Sequence, residues 1–177
     1  MSHVKSISAA FSAPLLPEHK RVIFIAAFLM VLVVGSALAF EIIGGYIPCA
    51  LCLEQRTPYY TAIPILLIAG IAAMFTGPAV WIRALIFLAG LAMVFGTYLG
   101  VFHSGVEWGW WPGPTDCTTV VDGLSANASN LLGDLNAKKP PSCDKAALRI
   151  LGLSFAGWNV IASALLAFFT LRLAFRK

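Results

Sequence analysis

Apolar residues fall into four long runs separated by short polar punctuation, and that pattern predicts the architecture. The runs cover Val22–Phe40, Thr57–Ile82, Ala84–Phe102 and Ile150–Leu171, each close to the roughly 20 residues an α-helix needs to cross a bilayer. The second and third nearly touch, but Thr76-Gly77-Pro78 interrupts helix and predicts a tight turn between them. The alternating pattern of a membrane β-barrel is not visible. Allowing for helix ends, the spans are placed at about 22–43, 53–75, 79–102 and 150–172, within one membrane domain over 20–177. Residues 1–19 are polar, rich in small side chains and interrupted by Pro14 and Pro17, as expected of a loose cytoplasmic tail. The expected fold is all-α, an integral membrane four-helix bundle with two extracytoplasmic loops.

Two segments admit a second reading. Lys20-Arg21, the apolar run after it and Ala37-Leu38-Ala39 resemble a signal peptide and its cleavage site. The run is long for that purpose and apolar residues continue past Glu41, so an uncleaved first helix is expected. In the second loop Val120, Leu124, Ala128, Leu131 and Leu135 recur at three-to-four-residue steps. This spacing predicts a short amphipathic helix on the membrane surface, ended by Lys138-Lys139-Pro140-Pro141; the alternative is a mobile loop with incidental leucines. Asn127-Ala128-Ser129 matches a glycosylation acceptor, which matters only in a eukaryotic secretory route.

Composition excludes a soluble domain. Of 177 residues 59% are hydrophobic and 11% charged, with a mean hydropathy of +0.85, so lipid must be the solvent for most of the chain. Charge then sets the orientation. Lys5, Lys20, Arg21, Arg83, Arg172, Arg176 and Lys177 lie at the termini or the turn, opposed only by Glu18, which leaves a net charge of +6 there. The other two loops carry five basic and seven acidic residues, a net charge of −2. The excess of Lys and Arg beside the span ends places both termini in the cytoplasm and both cysteine-bearing loops outside. The basic balance is therefore a topology signal and gives no reason to expect a nucleic-acid partner.

The candidate chemistry is in the loops. Cys49 and Cys52 form a Cys-x-x-Cys motif after Pro48, and Cys117 and Cys143 lie before the last run. An outward face allows disulfides to persist. A helix starting near Cys49 would favour thiolate through its N-terminal N–H groups, and Arg56, four residues after Cys52, would sit one turn further along the same face. The alternative is an arginine reaching for lipid phosphate beside two ordinary cysteines. Cys117 and Cys143 would serve as a plain staple of the loop, worth about 3 kcal/mol, or as a partner in exchange with the first pair. Asp116 and Asp144 flank them and disfavour thiolate there. His103 and Glu107, four apart, precede Trp108-Gly109-Trp110-Trp111. The tryptophans fit an interfacial aromatic belt, while His103 could donate a hydrogen bond to a carbonyl-bearing ligand. Zinc is not expected, because Cys117 and Cys143 are too widely spaced for a typical site, and Leu53 stands where c-type haem attachment needs His.

These residues resemble the disulfide bond formation protein B (DsbB) family of bacterial inner-membrane oxidants. The resemblance spans about residues 20–175 and rests on Pro48-Cys49-Ala50-Leu51-Cys52 with Arg56, on Gly105-Val106-Glu107-Trp108-Gly109 with Gly113-Pro114 and Cys117, and on Ser142-Cys143-Asp144 leading to Leu151-Gly152-Leu153-Ser154 and Trp158-Asn159. It implies a relay in which a reduced periplasmic DsbA-like thiol oxidase attacks Cys117, Cys143 is freed and joins Cys49, and Cys52 is released as a thiolate against a bound quinone. By the same resemblance Arg56 stabilises that thiolate and the quinone's developing charge, and His103 lies near the quinone. The quinone would be ubiquinone or menaquinone. A vitamin K epoxide reductase-type enzyme is the alternative quinone-linked reading, but its Cys-x-x-Cys is expected late in the chain. A non-catalytic four-span membrane protein with a disulfide-stapled outer loop is the alternative from a different class.

Overall fold

The computed structural model describes residues 14–114 and 143–176. Its helices are α1 (Pro17–Ile42), the short α2 (Ala50–Glu54), α3 (Thr57–Met74), α4 (Ala79–Glu107) and α5 (Phe155–Phe175). Four helical segments, with α2 and α3 read as one, are long and apolar enough to cross a membrane. The chain is a four-helix membrane bundle in which α1 packs on α3, α3 on α4, α4 on α5, and α5 closes the ring on α1. The surface carries Phe28, Phe75, Trp81, Phe168 and Phe169 exposed, which is stable where the solvent is acyl chain. The interior is built from smaller side chains, with Ala62, Ala69, Ala89 and Ala174 wholly or almost wholly buried. Small residues let helix backbones approach, the usual basis of association in lipid. Gly100 shows the constraint, since a Cβ there would meet Val160 Cγ2 at 2.9 Å and its backbone nitrogen at 3.2 Å.

The expected spans correspond to these helices, with differences at their ends. Helix α1 starts at Pro17, five residues before the expected span, with a proline at a position where no N–H is needed. The turn after α3 falls at Thr76, which takes a positive φ of 55°, before Pro78 caps α4. The last helix begins at Phe155, not near 150, because the chain first makes a small hairpin. There β1 (Arg149–Ile150) pairs antiparallel with β2 (Leu153–Ser154). Leu151 and Gly152, both at positive φ of 54° and 84°, make the two-residue turn whose twist suits a hairpin. Ser154 then caps α5, its Oγ accepting from the Gly157 N–H at 3.2 Å. The expected amphipathic helix over Val120–Leu135, and Cys117 with it, lie outside the described residues.

The bundle has two distinct ends. At one, Arg83 is completely buried and donates to the Ala174 and Arg176 carbonyls at 2.9 and 2.7 Å, so a cation satisfies the last carbonyls of α5. Glu18 and Arg176 pair there at 2.9 Å. Cys49, Cys52 and Cys143 gather at the other end.

Candidate functional site

The chain from Cys49 to Tyr59 makes the site. Cys49 is the N-cap of α2 and its Sγ accepts from the Cys52 N–H at 3.3 Å. That bond bends the motif so that the two sulfurs lie 2.8 Å apart, both as thiols. Cys49 is 4% exposed, whereas Cys52 is only partly buried. The hydrogen bond to Cys52, followed by burial, pushes the Cys49 thiol up from its usual range.

Helix α2 stops after five residues, where the sequence suggested one helix running on through Arg56. Pro58 is the reason: its ring would collide with the Glu54 carbonyl and it lacks the N–H a continuous helix needs. The chain turns at Gln55 and Arg56, and α3 restarts when the Arg56 carbonyl accepts from Tyr59 and Tyr60 at 3.1 Å. Arg56 is therefore not one regular turn beyond Cys52 on a shared helix face. The break still brings Gln55, Arg56 and Tyr59 to one cavity with Cys52.

This cavity has a volume of about 460 Å³ and is bounded by α1, the α2–α3 break and α5. Val33, Val34, Phe40, Phe155 and Ala162 supply apolar wall, and Glu41, Gln55, Arg56, Tyr59 and Asn159 supply polar groups. Its size and its few polar groups on an apolar wall suit a small organic ligand. Cys52 lines it and Cys49 does not. The Arg56 guanidinium donates to Glu41 Oε2 at 2.5 Å, a pairing across 15 residues.

Behind the motif, away from the cavity, stands α4. His103 is buried and its Nε2 lies 3.7 Å from Cys49 Sγ and 3.8 Å from Glu107 Oε1. The cavity wall among the described residues does not include His103, which lies against Cys49. The Cys143 backbone approaches its ring as well. Cys143, disulfide-bonded and 2% exposed, packs in one buried cluster with Cys49, Leu51 and Val106, flanked by Cys52, Phe102 and Trp111. The structure thus brings together Cys49, Cys52, Cys143 and His103. Trp111 covers the cluster, stacked on Phe102 with ring centres 6.0 Å apart and donating its indole N–H to the Phe102 carbonyl at 2.9 Å. Gly105 makes room, because a Cβ there would lie 2.0 Å from the Trp111 ring. Trp111 is therefore packed into the site, while Trp108 and Trp110 stay exposed as an interfacial belt would require.

The ligand atoms of Cys49, Cys52 and His103 lie within 4.8 Å of one another, close enough for a thiophilic metal to bridge them when both cysteines are reduced. Sequence reasoning missed Glu41, Gln55 and Tyr59, and took Asn159 only as part of a motif. A polar side chain inside an apolar run was the available signal.

A family model for disulfide bond formation protein DsbB matches residues 19–173. The chain is also similar to the uncharacterized protein RP370 of Rickettsia prowazekii (strain Madrid E), 27% identical over 142 residues that cover 78% of each chain. No solved structure matches.

Proposed function

Because the chain belongs to the family of disulfide bond formation protein DsbB, we propose that it is a protein-dithiol:quinone oxidoreductase that reoxidises a periplasmic DsbA-like thiol oxidase. Membership makes it a multi-pass membrane protein of disulfide bond formation and an oxidoreductase. The finer reading rests on one observation: Cys52 lines the cavity, while Cys49 lies behind it in the buried cluster that holds Cys143. One cysteine of the motif faces a ligand space and the other faces the second disulfide. The chain would sit in the bacterial inner membrane with its termini cytoplasmic, as the charge asymmetry supports.

The proposed relay conserves bonds at every step. A thiolate of the partner attacks Cys117, forming a mixed disulfide as the Cys117–Cys143 bond breaks and Cys143 leaves as a thiolate. Cys143 attacks Cys49, and Cys52 leaves as a thiolate on the cavity wall. The partner's second thiol resolves the mixed disulfide and frees Cys117. Cys117 recaptures Cys143 and expels Cys49. Both electrons then rest on the Cys49–Cys52 dithiol, and the partner carries a new disulfide.

The cavity suits a quinone headgroup: its wall is apolar enough for a ring, and Arg56 offers N–H donors for a carbonyl oxygen. A bound quinone, ubiquinone or menaquinone, would supply the acceptor for two electrons and two protons as the Cys49–Cys52 bond re-forms. Arg56 would hold negative charge at that wall, and the apolar helices would exclude water. His103, assigned near the quinone by resemblance, fits better as a partner of Cys49.

The test is anaerobic quinone reduction by the purified protein in nanodiscs, with a reduced DsbA-like donor. One quinol per donor disulfide, lost in Cys52→Ser, is expected. No reduction of any quinone by folded protein would leave a stapled, non-catalytic membrane protein as the better reading.

A further inference from the structure

One buried amide, Gln55, and one part-buried amide, Asn159, take no part in the exchange chemistry, although an amide inside a membrane bundle is costly unless it is paired. Gln55 and Asn159 belong to one hydrogen-bonded chain. The Tyr59 hydroxyl donates to Asn159 Oδ1 at 2.7 Å, Asn159 Nδ2 donates to Gln55 Oε1 at 2.7 Å, and Gln55 Nε2 lies 2.6 Å from His103 Nδ1. The chain crosses from α3 through α5 and the α2–α3 break to α4.

Its direction is fixed at one point. Gln55 Nε2 also donates to the Leu51 carbonyl oxygen at 3.3 Å, a group that can only accept. Turning the Gln55 amide over would set oxygen against oxygen at Leu51 and NH₂ against NH₂ at Asn159. With the Gln55 nitrogen held on that side, His103 Nδ1 must accept. A neutral ring then carries its one hydrogen on Nε2. That N–H faces Cys49 Sγ and Glu107 Oε1, 3.7 and 3.8 Å from Nε2.

We propose that Tyr59, Asn159 and Gln55 are positioning residues that hold His103 in its Nε2–H tautomer and so aim a hydrogen-bond donor at Cys49 Sγ, beside Cys143. The consequence for exchange rests on the relay proposed above; the tautomer does not. As the Cys49–Cys143 bond breaks, negative charge moves from the attacking sulfur to Cys49, and the Nε2–H stabilises it without giving up its proton. In the other tautomer a lone pair would face the leaving sulfur and oppose its charge. Because Gln55, Tyr59 and Asn159 also line the cavity, the chain joins the ligand space to Cys49, the cysteine of the motif that the cavity does not reach.

The test is ¹⁵N NMR of the full chain, labelled at histidine and held in bilayers, with the His103 signals identified by their loss in His103→Phe. A protonated Nε2 and a bare Nδ1 are expected. Gln55→Glu, which offers only acceptors when ionised, should protonate Nδ1. Asn159→Leu should give a mixture of tautomers and slow donor oxidation about tenfold, a 1.4 kcal/mol change in barrier. In a His103→Phe background Asn159→Leu should slow it no further. A wild-type His103 protonated at Nδ1, a tautomer unmoved by Gln55→Glu, or additive losses in the double variant would each overturn the proposal. The spectrum reads the tautomer whether or not quinone is reduced, so failure of the relay and failure of this inference are separately visible.

Discussion

Arg56 and Glu41 are joined on the cavity wall, guanidinium to carboxylate at 2.5 Å. The bond ties α1 to the start of α3 and accounts for a charged side chain only 12% exposed at the end of a membrane helix. Removing Arg56 strands a partly buried carboxylate and takes positive charge from beside Cys52. Arg56→Met is expected to lower quinone turnover roughly 100-fold and to cost about 1–3 kcal/mol of stability. Glu41→Gln keeps an acceptor for Arg56 and should cost less. Steady-state quinone kinetics and thermal unfolding of both variants check this.

The two thiols of the motif should react in a set order. Cys52 is the more accessible sulfur, while Cys49 is buried and held protonated by its bond to Cys52. A thiol whose pKa is raised needs higher pH before thiolate forms, so raising pH from neutral through the ordinary cysteine range should do little for Cys49. Iodoacetamide labelling of reduced protein, mapped by mass spectrometry, should modify Cys52 first, by roughly tenfold or more, because it is the accessible sulfur and Cys49 is buried and held as thiol. Equal labelling would contradict the geometry.

Gly105 lies under Trp111 with no space for a side chain. Gly105→Val is expected to displace the indole, break its bond to the Phe102 carbonyl and destabilise the fold by about 1–3 kcal/mol. Uncovering the cluster should also speed reduction of the Cys143 disulfide by added thiol. Thermal unfolding and a reduction time course measure the two effects.

Much of this was legible in the chain, for physical reasons that also mark where legibility ended. Lipid imposes length and apolarity on a span, so the four helices stand out, with the Thr76-Gly77-Pro78 break between two of them. Thiol chemistry needs cysteines, so Cys49, Cys52 and Cys143 stand out as candidates in the sequence. The helix break at Gln55 was hidden because Pro58 reads equally as an allowed first-turn residue and as a stop for the helix before it. The hairpin at Arg149–Ser154 looks like the start of an apolar span until the positive φ of Leu151 and Gly152 is known. The chain from Tyr59 to His103 was invisible, since its links bridge 100, 104 and 48 residues. No local pattern encodes such contacts, and only a polar side chain in an apolar run hints at one.

The most direct test of the proposed quinone site at Cys52 is photolabelling with an azido-quinone in bilayers, followed by peptide mapping. Labelled residues should come from 33–41, 46–59 and 155–162, the segments around the Cys52 cavity. Labelling should be suppressed by excess unmodified quinone and weakened in Arg56→Met. Competed labelling confined to the outer faces of α3 and α4, with none on those segments, would contradict a quinone site at Cys52.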